Sequence, residues 1–277
     1  MKTRIITAVI CALIFIPFLI FSDTVAFPIL LSLLSLAGVY EMLKCIGEKN
    51  IICQIAAGFT ALALPFCARF YDSEQNFFNF THKVFIVFMF LLLVCAVFSK
   101  GKRDVSESAM VYLTTFYISI GFSSIVLLRD YEYGQYIFML VFLCPWTTDI
   151  FAYFSGYFFG KHKLIPDVSP KKTVEGAIGG TLFCTLTFLL YGIVIGIIVP
   201  ELSPNYPAFI IIGCIMSLIA QCGDLIFSLI KRKYRIKDYG TLLPGHGGIM
   251  DRFDSVIATA PFMLLLFDLS KVFYLFI

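Results

Sequence analysis

The sequence predicts an all-α integral membrane protein of about nine transmembrane helices, with the N-terminus cytoplasmic and the C-terminus outside. Three observations predict it. Hydrophobic residues make up 60% of the 277, charged residues only 14%, and mean hydropathy is +0.92. Globular chains run at roughly 45–50% apolar and about 25% charged, so a soluble domain of this size could not bury such a surface. The apolar residues also fall in long uninterrupted runs, and Lys and Arg gather in alternate loops between them.

Runs of spanning length, about 20 residues for a helix, lie at approximately 5–21, 25–43, 51–68, 84–99, 109–128, 135–159, 174–199, 208–230 and 255–276. Lys2 and Arg4 precede the first, as in a signal peptide. Its long apolar core, the lack of a small-residue cleavage site and the spans that follow favour a retained helix. The run at 84–99 is short and needs flanking residues to reach across. With the N-terminus inside, cytoplasmic segments hold 17 of the 21 Lys and Arg. Arg69, Lys83 and Arg129 fall in outer loops, and Lys271 lies within the last span. Cytoplasmic loops are enriched in these residues, which sets the orientation. The nine cysteines are scattered and form no C-x-x-C pair, so they read as small buried hydrophobes and not as a disulfide or zinc framework.

The chain divides by content into a transmembrane scaffold half, 1–130, and a catalytic half, 131–277, with cytoplasmic loops 160–173 and 231–254. Spans of the first half contain few ionisable groups and read as a packing and oligomerisation scaffold. Three polar constellations occupy the second. In the sixth span Asp149, Tyr153 and Gly156 share a helix face, with the Thr148 hydroxyl beside it. A carboxylate at membrane depth costs about 2.5–3.5 kcal/mol on insertion scales, so it faces a partner or a water-filled cavity. In the loop that follows, Pro170 keeps the backbone extended before Lys171 and Lys172, and Thr173 is a candidate N-cap for the next helix. The free N–H groups there, with two lysines alongside, make a candidate anion site; a positive-inside charge cluster is the plainer alternative. Gly176 and Gly180, at small-xxx-small spacing, suit close helix packing.

The third constellation, Ser228 to Asp254, packs six cationic side chains, three carboxylates, a histidine and a glycine pair between two apolar runs. Gln221, Asp224, Ser228 and Lys231 or Arg232 form a polar stripe down one helix face into it. Asp251 and Asp254, one turn apart, can reach a common metal-containing site, with Asp224 or Asp238 supplying further oxygens. Hard cations that bind nucleotide phosphates prefer such ligands. Gly247 and Gly248 remove side chains where backbone approaches a phosphate or turns sharply. A solvated basic loop drawn to anionic headgroups would explain the lysines but not the acids and glycines.

This stretch resembles the signature of the phosphatidate cytidylyltransferase (CDP-diacylglycerol synthase) family. Ser228, Lys231, Arg232, Lys237, Asp238, Gly240, Pro244, His246, Gly247, Gly248, Asp251, Arg252 and Asp254 fill the family pattern without a departure over 27 residues. The Asp149 segment and Ser169–Thr173 with Glu175 and Gly176 resemble its second polar region, while the first half matches only as a set of membrane helices. The resemblance implies that CTP and phosphatidate give CDP-diacylglycerol and pyrophosphate, in a homodimer with a paired-cation site holding magnesium and a second ion, for which potassium is a candidate. It implies a multi-pass protein of the cell (inner) membrane whose site faces the cytoplasm, with membrane lipid as its surroundings and no nucleic-acid partner. Asp224, Asp251 and Asp254 are then the expected metal ligands, with Asp238 next. Lys171, Lys172, Lys231, Arg232, Lys237 and Arg252 would hold CTP phosphates or the phosphatidate headgroup, helped by Ser228, Gly247 and Gly248. His246 would contact phosphate, donate a proton or brace the glycine turn, and Asp149 would support the site from its neighbouring helix. The alternatives are a cytidylyltransferase acting on another lipid phosphate such as an ether lipid, a CTP-using lipid kinase, a cation-coupled transporter or channel built on Asp149 and Asp224, and a non-catalytic headgroup-binding scaffold.

Overall fold

The computed structural model describes residues 2–71, 73–99, 104–269 and 275–276. Lys100, Lys102, Arg103 and Lys271, which entered the charge count above, lie outside the described residues. Among the described residues the helices are α1 (Lys2–Ile20), α2 (Ala26–Ile46), α3 (Ile51–Ala68), α4 (Glu74–Phe98), α5 (Val105–Asp130), α6 (Gly134–Phe159), α7 (Val174–Ile198), α8 (Tyr206–Lys233) and α9 (Met250–Leu269). The expected all-helical membrane architecture is present. Seven helices, α2 to α8, are long and apolar enough to cross a membrane. The other two expected spans fall short by that measure: the apolar part of α1 is only Val9–Ile20, and α9 opens on Asp251, Arg252 and Asp254. The short fourth run is extended, because α4 begins at Glu74, where the Ser73 side chain accepts from the Asn76 N–H at 3.3 Å. One short antiparallel ribbon, β1 (Lys163–Ile165) with β2 (Ser169–Thr173), lies in the loop before α7.

The chain folds as two compact units. The first comprises Met1–Asp130 together with Tyr234–Phe253; the second comprises Tyr131–Lys233 and Asp254–Ile277. In the first unit α2, α3 and α5 pack on one another, and α4 packs on α3 and α5. Sequence signals set the ends: Gly47, at φ 80°, closes α2 in the left-handed conformation, and the Asn50 side chain accepts from the Ile52 N–H to start α3. The returning segment 234–253 is built into this unit. The Thr7 hydroxyl of α1 donates to the Pro244 carbonyl at 2.9 Å, and Phe253 meets the rings of Phe15 and Phe122. A Cβ on Gly38 of α2 would come within 2.7 Å of the Met250 sulfur.

In the second unit α7 packs against both α6 and α8. The Gly176–Gly180 pair permits the approach to α6: added Cβ atoms would lie 2.7 Å from the Ala152 carbonyl and 2.8 Å from the Thr148 carbonyl. Hydroxyls and one amide stitch the three helices internally. Thr148 Oγ1 and Ser217 Oγ are 3.0 Å apart, and Gln221 Nε2 donates to Thr181 Oγ1 at 3.0 Å. Large apolar side chains such as Phe158, Phe159, Ile197 and Ile198 point outward, as the lipid-facing surface of a membrane protein requires. Thr173 is the N-cap of α7, its hydroxyl accepting from the Gly176 N–H at 3.1 Å. Thr173→Ala is expected to destabilise the unit by about 1 kcal/mol, read as a lower thermal midpoint in detergent.

Candidate functional site

The second unit collects one group of the expected residues. β2 holds Lys171 and Lys172 in extended backbone up to the Thr173 cap. A cavity of about 330 Å³ is lined by Asp149, Tyr153, Gly156, Lys171, Lys172 and Gln221, among others. Lys172 Nζ makes an ion pair with Asp224 Oδ2, both side chains being 26% exposed. Asp254 lies within electrostatic reach of Asp224, Lys231 and Asp149. The approach of α8 to α9 explains this, since a Cβ on Gly223 would meet the Ala258 Cβ at 2.6 Å and the Asp254 carbonyl at 3.3 Å. Three carboxylates and a set of lysines are thus concentrated in a unit whose helices are otherwise apolar.

Two expected residues of this unit are occupied locally. Ser228 Oγ donates to Asp224 Oδ1 at 3.5 Å, one helical turn away, and Arg232 Nε donates to the Val168 carbonyl at 3.1 Å. The first contact adds a hydroxyl to Asp224. The second ties the end of α8 to the loop joining the two strands of the ribbon.

The first unit collects the other group. Lys237, Asp238, Pro244, His246, Gly247 and Arg252 line an open crevice of about 560 Å³. The Leu243 N–H donates to the Gly247 carbonyl at 2.9 Å and the His246 N–H to the Leu243 carbonyl at 2.8 Å, which closes the Pro-Gly-His-Gly turn. Gly245 and Gly247 adopt φ 78° and 87°, a region that side-chain-bearing residues avoid. Arg252 donates Nε and Nη2 to the His246 carbonyl at 2.8 and 2.6 Å. His246 Nδ1 is buried and has no hydrogen-bond partner among the described residues. Asp251 Oδ2 accepts from the Tyr239 N–H at 2.8 Å and the Gly248 N–H at 2.9 Å.

One residue of this group escapes the sequence reading. Glu41, on α2, is buried and accepts from the Ile249 and Met250 N–H groups, both at 2.9 Å. A lone acid in an apolar run was its signal, the same signal that marked Asp149.

Among the described residues no three His, Cys, Asp or Glu side chains gather to hold a metal ion by themselves. A magnesium ion at a nucleotide site needs fewer, being bound by one or two carboxylates plus substrate phosphates and water. Asp224 and Asp254 supply two such carboxylates, and Asp224 Oδ2 is paired with the Lys172 ammonium.

The chain resembles known proteins over nearly its whole length. The model of the cytidylyltransferase family matches residues 2–270. A phosphatidate cytidylyltransferase of Staphylococcus haemolyticus is 36% identical over 270 residues, covering 96% of this chain and 98% of that one. Those of Staphylococcus saprophyticus and Bacillus subtilis are 35% and 32% identical over 274 and 273 residues, covering 96% and 97% of this chain and 98% of each relative.

Proposed function

Since the chain belongs to the cytidylyltransferase family, we propose that it transfers the cytidylyl group of CTP to phosphatidate, giving CDP-diacylglycerol and pyrophosphate. The structural observation that carries the reading is the cluster of Lys171, Lys172, Asp224, Asp254 and Asp149 in an otherwise apolar helical unit. A transporter path built on Asp149 and Asp224 would not call for the complete signature from Ser228 to Asp254.

The phosphate monoester of phosphatidate, with a second pKa of about 6 like that of a phosphorylated side chain, is largely dianionic at neutral pH. One of its oxygens forms a bond to the α-phosphorus of CTP as the bond to the bridging oxygen of the β-phosphate breaks. Pyrophosphate leaves with that electron pair, and no strong general base is needed. The work of the protein is alignment and charge neutralisation. Lys172 exchanges Asp224 for a phosphate oxygen as the substrates enter, and Lys171 and Lys231 add positive charge beside it. Lys237 and Arg252 bring cationic groups to the signature turn, and His246 braces it through its backbone, its N–H donating to the Leu243 carbonyl and its own carbonyl accepting from Arg252. Asp224 and Asp254 would hold magnesium, with Asp251 one turn earlier on α9; the ion, when bound, neutralises negative charge on the triphosphate. A second cation and a homodimer belong to the same proposal, as do a cytoplasmic N-terminus, an outer C-terminus and a site open to cytosolic CTP at the cell membrane.

The test uses purified protein in detergent–lipid micelles with magnesium, phosphatidate and CTP labelled at the α-phosphate. Label is expected in a lipid-extractable product, and only when phosphatidate is present. Folded protein that makes none from several phosphatidates rejects the reading.

A further inference from the structure

We propose that Glu41 is a positioning residue for this site: its buried carboxylate holds the turn Gly248–Met250 and so sets the first turn of α9. Three consecutive backbone N–H groups point at carboxylates there. Asp251 Oδ2 takes that of Gly248, Glu41 Oε1 that of Ile249 and Glu41 Oε2 that of Met250. Successive N–H groups at a helix start make a ready anion site. Here the anion is supplied by the chain itself, from a helix 208 residues away.

The glycines of the turn have a matching explanation. A Cβ on Gly248 would lie 2.4 Å from both Glu41 carboxylate oxygens, and one on Gly240 would lie 2.4 Å from Oε1. Gly240 and Gly248 therefore leave room for the Glu41 carboxylate, which needs backbone on two sides of it. Gly247, whose added Cβ would lie 2.8 Å from Asp251 Oδ2, does the same for the second acid. The helix start held in this way carries Asp251, Arg252 and Asp254 in its first turns. A carboxylate at a helix N-terminus also opposes the partial positive charge there, which fixes the end more firmly than a neutral acceptor. Glu41 touches no reacting atom in this scheme; it acts through the backbone that presents Asp251.

The effect on turnover rests on the proposed function; the effect on backbone protection does not. The experiment measures hydrogen exchange of peptides covering 239–253 in full-length protein in detergent, with turnover measured in parallel. In Glu41→Gln, which keeps the shape but loses the charge and turns an N–H donor toward the turn, exchange at Ile249 and Met250 is expected to rise about 10- to 100-fold. Peptides from α3 and α5 are expected to be unchanged. Turnover is expected to fall with a kcat loss and only small changes in either KM, and Glu41→Asp is expected to recover part of both properties. Gly248→Ala should mimic Glu41→Gln, and the double variant should be no worse than the poorer single one. Unchanged exchange at residues 249–250 in Glu41→Gln overturns the proposal. So does loss of protection throughout the first unit in both Glu41→Gln and Glu41→Asp, because Glu41 would then support the whole fold and not this turn. If exchange responds as expected in a protein that makes no CDP-lipid, the positioning stands and the assigned reaction falls.

Discussion

Asp224→Asn is expected to lower cytidylyl transfer by about a thousandfold, at the upper end of the loss seen when one preorganised charge-stabilising group is removed. The substitution is nearly isosteric, so packing of α8 should hold. What disappears is a negative charge that now holds the Lys172 ammonium and receives the Ser228 hydroxyl. In the proposed reaction that charge would hold the magnesium ion, for which an amide oxygen is a poor substitute. The loss should therefore appear mainly in kcat and should not be recovered by excess magnesium. Turnover near that of the unaltered protein, at saturating magnesium, rejects Asp224 as a ligand.

Lys172→Gln is expected to lower kcat/KM for CTP by about a hundredfold, in line with loss of a charge-assisted contact worth roughly 1.5–3 kcal/mol. It leaves Asp224 without its counter-charge in a half-buried place, and removing one partner of such a pair is worse than removing both. The cycle of Lys172→Gln, Asp224→Asn and the double variant should therefore be strongly non-additive in thermal stability, with the double variant more stable than additivity predicts. In activity the double variant should be no better than Asp224→Asn alone. Additive losses in both measurements would mean that the pair is incidental and that Lys172 and Asp224 act separately.

Much of this molecule is legible in its sequence because membrane helices announce themselves by apolar length and because the signature is contiguous. The ends of α3 and α7 lie where the runs 51–68 and 174–199 put them, within one residue. The Thr173 cap and the close approach at Gly176 and Gly180 follow from local residue types alone. Other features depend on distant partners. α4 begins ten residues earlier than the apolar run at 84, because a capped polar turn extends a helix that hydropathy alone would cut short. The ribbon of β1 and β2 is too short and too polar for a two-residue period to reveal it. Glu41 interrupts a run otherwise read as scaffold, and its partners are backbone N–H groups, which no side-chain pattern records. The cost of an acid in an apolar helix was the available signal. Applied to α2 as it was to Asp149, it would have asked what Glu41 holds.

The return of Tyr234–Phe253 to the first unit also orders events during synthesis. The α2 helix leaves the ribosome early, yet the donors for its buried acid are encoded 208 residues later. At about 5–20 residues per second, that interval is roughly 10–40 s. Through it the nascent chain carries Glu41 without the Ile249 and Met250 N–H groups from which it accepts in the folded unit. Polypeptides that stop before residue 234 never gain them.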